Sequence, residues 1–210
     1  MLVQGQVAPV ATTSSIAAGT QSVLRQGNMG DAIVSELHGK YYEAAYRRAL
    51  FSTCNSAAVA TVALGTTAYT GLSLSNPVGS TVNLVLANCS YALSVAAPTA
   101  GYLGLETGYN SSTNVTHTTP TTVASNFIGV GAIGTGLGDS ASTLPTAPTN
   151  RIMLCNTNTV ATTAYNGSAP QIVPLDGSII LPPGAYIAFY TFATNTAAWW
   201  FGFTWEEVPV

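Results

Sequence analysis

The run Ala197-Ala198-Trp199-Trp200-Phe201-Gly202-Phe203-Thr204-Trp205-Glu206-Glu207 decides the fold. Side chains alternate across an extended strand, so Trp199, Phe201, Phe203 and Trp205 share one face, opposite Trp200, Gly202, Thr204 and Glu206. An aromatic face of that size requires burial in a core or an interface.

Segments upstream repeat the β signal. Ile179-Ile180-Leu181 meets Pro182-Pro183-Gly184, Ala185–Phe192 reads as a strand, and Ala193–Thr196 reads as a turn. Leu72 and Leu74 alternate with Ser73 and Ser75, and Val82, Leu84 and Leu86 alternate with Thr81, Asn83 and Val85. With the turn Asn76-Pro77-Val78-Gly79-Ser80 between them, they predict two adjacent strands forming a hairpin. Tyr91, Leu93 and Val95 place a third segment on one face, and a body strand returns at Arg151–Cys155. Tyr165-Asn166-Gly167-Ser168 and Leu175-Asp176-Gly177-Ser178 carry the dipeptides of tight hairpins, because Asn, Asp and Gly tolerate positive φ. Residues 96–123 and 134–150, rich in Thr, Ser, Gly and Pro, read as long loops or irregular edges. About eight short strands and almost no helix predict an all-β protein, an antiparallel β-sandwich of jelly-roll-like topology.

The remainder divides at a compositional break. Residues 1–30 mix Ala, Thr, Ser, Gln and Gly and end in Gly27-Asn28-Met29-Gly30, which predicts an extended N-terminal arm. Residues 31–51 read as the joint between arm and body, and residues 52–210 as the sandwich body. The joint carries Asp31, Glu36, Lys40, Glu43, Arg47 and Arg48, in a chain with only five Lys and Arg and eight Asp and Glu. Tyr42, Ala45, Tyr46, Ala49 and Leu50 recur at helical spacing, with Glu43 placed to meet Arg47, so one short helix is expected.

Composition narrows the function. Charged residues are 6% of the chain, against about 25% in ordinary soluble domains. A surface so poor in charge favours an oligomer or a part of an assembly. Five cations and a net charge of −3 give no footprint for a phosphate backbone, so no direct nucleic-acid partner is expected. Residues 1–24 lack basic residues and are interrupted by Gln, Thr and Ser, which fits neither a secretory signal nor a membrane span. Cys54, Cys89 and Cys155 are odd in number and far apart, and are expected as buried free thiols suited to a reducing cytoplasm. The sequons at Asn88, Asn110, Asn114 and Asn166 read as chance matches in a chain rich in Asn, Ser and Thr.

Gly129-Val130-Gly131-Ala132-Ile133-Gly134 has the letters of a dinucleotide loop without the βαβ context, and reads as a glycine loop or bulged strand. Gly138-Asp139-Ser140 has the letters of one esterase nucleophile block, but His38 and His117 both precede it where such enzymes need a later histidine. No two of the histidines and cysteines have ligand-pair spacing, and Glu206 and Glu207 alternate across a strand. The expectation is therefore no enzyme, no cofactor and no metal. What remains is the Tyr and Arg cluster. These residue types anchor protein interfaces, which marks Arg25, Lys40, Tyr41, Tyr42, Tyr46, Arg47 and Arg48 as candidate protein-interaction residues.

The block Leu37-His38-Gly39-Lys40-Tyr41-Tyr42-Glu43-Ala44-Ala45-Tyr46-Arg47-Arg48, the turn around Asn76-Pro77 and the ending Leu181-Pro182-Pro183-Gly184-Ala185-Tyr186 resemble minor structural proteins of tailed bacteriophages. The nearest group is the jelly-roll cement or decoration proteins of the capsid. That resemblance implies a homotrimer bound to the major capsid protein on the outer surface of the virion, made in the host cytoplasm, clamping neighbouring capsomers. A carbohydrate- or receptor-binding head-fibre module, with a glycan as partner, is the alternative on the same fold.

Overall fold

The computed structural model describes residues 39–94, 101–129, 133–157 and 170–210. The chain divides into two compact units, Met1–Lys40 and Tyr41–Val210. All the elements below belong to the second, and the predicted arm lies outside the described residues.

In chain order these are α1 (Tyr42–Tyr46), β1 (Leu50–Cys54), β2 (Val59–Thr61), β3 (Ala68–Ser75), β4 (Val82–Leu93), β5 (Gly101–Tyr109), β6 (Thr116–His117), β7 (Val123–Ser125), β8 (Leu137–Thr143), β9 (Thr149–Thr157), β10 (Gln171–Pro174), β11 (Ile180–Leu181), β12 (Ala185–Thr191) and β13 (Asn195–Pro209). They form two antiparallel sheets. One has the order β10-β4-β13-β1-β7, with β11 also on β4 and β2 also on β13; the other has the order β6-β8-β3-β12-β5-β9. The fold is the expected all-β sandwich.

The aromatic face of β13 fills the space between the sheets: Trp199, Phe201, Phe203 and Trp205 are all buried, while Trp200 on the other face is exposed. Phe189 of β12 stacks on Phe201 with ring centroids 4.2 Å apart and lies 4.8 Å from Phe203, so one ring from each sheet meets at the centre. Leu72, Leu74, Leu84, Leu86, Leu103 and Leu105 complete this core.

Several connections differ from the sequence reading. β3 and β4 are not a hairpin; they lie in different sheets, and the Asn76-Pro77 segment is a corner between them. Asn76 holds it, donating from Nδ2 to the Val82 carbonyl at 2.8 Å and to the Leu181 carbonyl at 2.9 Å. Both strands carry the same alternation whether they pair with each other or face each other across a core, and alternation alone cannot distinguish the two. β4 runs unbroken over the two segments predicted separately.

The Leu175–Ser178 turn forms, with Asp176 at φ 51, Gly177 at φ 78 and Ser178 N–H donating to Leu175 O at 2.8 Å. The strands on either side of it do not pair with each other, however: β10 and β11 both pair with β4, so the turn interrupts a strand and reverses nothing. The Tyr165–Ser168 turn lies outside the described residues.

The largest correction concerns residues 96–123 and 134–150. They contain β5, which lies between β12 and β9, and β8, which lies between β3 and β6. The glycines that made β5 read as a loop are what admit its neighbours. A Cβ at Gly104 would stand 2.7 Å from Tyr190 Cε1 and 2.8 Å from Ile152 O, and at Gly108 it would collide with the Tyr186 ring. Such glycines mark close approach within a sheet.

β12 is buried along its whole length. Ile187 and Phe189 face the main core, whereas Tyr186 and Ala188 face a second cluster with Tyr69, Val115 and Leu144. Connecting segments therefore cover the outer face of this sheet and give it a second apolar layer. The cysteines are all free; Cys89 is buried and Cys155 half-buried, but Cys54 is exposed, contrary to expectation, because it faces outward from the end of β1.

Candidate interaction surface

Within the joint, of which residues 39–51 are described, Tyr42–Tyr46 form a single turn of helix. Ala44 is buried with Leu50 and Ala87, and Tyr41 and Ala45 pack beside them. Leu50 alternates with core-facing Phe51, which places this small cluster on the outer face of the seven-stranded sheet. Tyr41 fastens it further, donating from its hydroxyl to Asp176 Oδ1 at 2.7 Å, with the Ala87 carbonyl 3.2 Å away. The predicted helical register ends early, since Leu50 already belongs to β1.

The stop is specific. Ala49 N–H donates to Ala44 O and Arg48 N–H to Ala45 O, both at 2.9 Å, and Arg48 has φ 61. This is the Schellman arrangement, which places one residue in the left-handed region and usually gives that place to glycine. A non-glycine residue there costs about 1 kcal/mol.

Tyr42 and Tyr46, two of the residues at helical spacing, face outward. Tyr42 and Tyr46 are 43% and 53% exposed, and their rings stack at 5.8 Å with an interplanar angle of 14°. Tyr46 meets Phe127 edge-on at 6.2 Å. The Arg48 guanidinium carbon lies 5.5 Å from the Phe127 ring centroid. Arg47 pairs with Glu43 at 3.2 Å as predicted, both side chains being well exposed, so the pair contributes little to stability. Ile128, next to Phe127, is 92% exposed. The result is a ridge of Tyr42, Tyr46, Phe127 and Ile128 with Arg47 and Arg48 beside it. Tyr41 is not part of this ridge, being half-buried as a peg. Lys40 is exposed, and Arg25 lies outside the described residues.

Sequence reasoning missed Phe127 and Ile128, which stand far from the helix in the chain. They reach it because Asn126 N–H donates to Leu50 O at 2.9 Å and Ser52 Oγ meets Asn126 Oδ1 at 2.9 Å, holding the segment after β7 against β1.

A second constellation, also missed, joins Ser75, His117 and Asp139. His117 Nδ1 lies 3.1 Å from Asp139 Oδ2, and His117 Nε2 lies 3.3 Å from Ser75 Oγ. With Asp139 accepting at Nδ1, the ring carries its proton there and Nε2 accepts from the Ser75 hydroxyl. The order is that of a nucleophilic relay. Its surroundings are those of a structural clamp: Ser75 is 4% exposed, and its backbone sits in a ladder between Leu137 and Tyr186. Asp139 is saturated by the N–H groups of Thr118, Thr119 and Ala141 at 2.8, 3.0 and 2.7 Å. The cluster ties the edge strand β6 across β8 to β3. Ser140, the residue singled out by sequence, instead donates to Thr119 O.

The third unusual group is Glu106, fully buried on β5. Gly65 N–H donates to its Oε2 at 3.2 Å, while Oε1 has no hydrogen-bond partner among the described residues. The hydroxyls of the neighbouring Tyr69, Tyr186 and Tyr190 are committed to Phe189 O, Thr146 O and Asn150 Oδ1. Burial pushes the Glu106 carboxyl up to about 7, with the Gly65 N–H opposing.

Among the described residues no three His, Cys, Asp or Glu converge as a metal site, and no helix is long and apolar enough to cross a membrane. No protein-family model, no curated protein and no solved structure matches this chain.

Proposed function

We propose that this protein is a structural component of a virus particle. In this reading it is a capsid cement or decoration protein with a jelly-roll-like body, an oligomer of trimeric form that sits on the outer capsid surface and stabilises contacts between capsomers. It is not an enzyme. The observation that carries the reading is the ridge of exposed Tyr42, Tyr46 and Arg48 around half-buried Phe127, set on a body otherwise depleted of charge. Tyr and Arg in one exposed cluster supply rigid apolar area and directional contacts to carboxylates, the combination found at interface hot spots. An arginine held in a left-handed backbone conformation, where glycine would be easier, is the kind of local cost that a binding role explains.

The test is co-sedimentation of the full chain with undecorated particles. Replacing both Tyr42 and Tyr46 with Ser should weaken binding roughly tenfold or more while leaving the thermal transition of the body in place. A doubly substituted protein that decorates particles as tightly as the parent would remove the ridge from the account.

A further inference from the structure

A separate cleft, of about 640 Å³, is lined by residues of both sheets, among them Thr107, Tyr109 and Arg151 from one sheet and Ile180 from the other, with Thr149 and Ser178. Its size is that of a small-ligand site. Arg151 Nε donates to Thr107 Oγ1 at 3.1 Å, which fixes the plane of the guanidinium, and no carboxylate among the described residues pairs with it. Among the described residues no acidic side chain lines the cleft. An oriented guanidinium without a partner carboxylate, in a chain with only five cations, leaves a planar fork of donors available to a ligand. Around it the Thr and Ser hydroxyls offer both donors and acceptors. Tyr109 and Ile180, 57% and 53% exposed, offer apolar faces for the C–H surface of a sugar ring.

We propose that this cleft binds a carboxylate-bearing saccharide, a uronic-acid sugar, with Arg151 receiving the carboxylate and Tyr109 the ring. The site shares no residue with the ridge and does not depend on the capsid reading.

The test is an amide NMR titration of the full chain with a glucuronate-containing disaccharide. Parallel arms use the neutral glucose disaccharide, inorganic phosphate and an acidic peptide. Expected are saturable shifts at Thr107, Tyr109 and Thr149, with affinity about tenfold above the neutral sugar. Arg151→Gln should abolish them while the remaining spectrum stays dispersed, and Tyr109→Ala should weaken them independently. Four results would each overturn the proposal: no saturable shift at about 50 mM ligand, equal binding of the neutral sugar, equal or tighter binding of phosphate or of the peptide, or binding that survives Arg151→Gln.

Discussion

The Arg48 guanidinium lies 5.5 Å from the Phe127 ring centroid although Arg48 reaches that place from a backbone with φ 61. Glycine would occupy the same conformation without steric cost. Arg48→Gly should therefore keep or raise the stability of the body, by up to about 1 kcal/mol, because the relieved strain exceeds or matches an exposed cation–π contact of about 0.5 kcal/mol. The same variant should lose affinity for particles. Urea denaturation and co-sedimentation read the two effects separately, and a clear loss of stability would show that Arg48 is there for the fold.

Glu106 predicts a pH dependence of stability with a definite sign. Its carboxyl titrates near 7 when folded, against a model-compound value of 4.5. The folded protein keeps a proton that the unfolded chain releases in that window, so this group's contribution is complete below about pH 4.5, declines as pH rises, and is lost above about 7. The loss is on the order of 2 to 3 kcal/mol. Glu106→Gln should remove it: the difference in stability between variant and parent should grow in the variant's favour from pH 5 to pH 8. A difference independent of pH would mean that Glu106 is ionised throughout.

Gly104 predicts a packing effect. An added Cβ would meet Ile152 O at 2.8 Å, and that carbonyl is backbone in a ladder. Gly104→Ala should destabilise the body by about 1 to 3 kcal/mol, measured by thermal or urea unfolding. Gly39→Ala, where a Cβ would meet nothing within 4 Å, is the control that should change little.

The aromatic run of the final strand was legible in sequence, because Trp199, Phe201, Phe203 and Trp205 leave one face no alternative to burial, although the strand begins at Asn195, inside the turn expected at Ala193–Thr196. β5 was not. Gly101, Gly104 and Gly108 lower its intrinsic strand preference, and only the Tyr190 and Tyr186 rings on the neighbouring strand explain why Gly104 and Gly108 are needed. The hairpin expected around Asn76 failed for a related reason: alternation reports which face is buried and is silent on which sheet a strand joins. At the candidate site the tyrosines of α1 and the arginines that follow it, Arg47 and Arg48, were visible as a compositional outlier. Their orientation was not, since helical spacing by itself does not say which residue of one turn faces the sheet; the small Ala44 does, while Tyr42 and Tyr46 face outward. Phe127, His117 with Ser75, and Arg151 depend on contacts between distant segments and left no local signal.

The Ser75, His117 and Asp139 cluster should behave as a clamp. His117→Ala should cost about 1 kcal/mol by removing the ring that joins Ser75 to Asp139, and a fluorophosphonate probe should leave Ser75 unlabelled. Stoichiometric labelling of Ser75, lost in His117→Ala, would make the protein a hydrolase.

On the proposed function, the ridge beside α1 is the surface by which this protein joins a particle. Electron cryomicroscopy of particles decorated with the full chain tests it most directly. A sandwich should be seen on the outer shell, in threefold groups, with Tyr42, Tyr46 and Arg48 in contact with a shell subunit. A sandwich seated through another face with this ridge in solvent, or a chain that stays monomeric and leaves the particles bare, would contradict it.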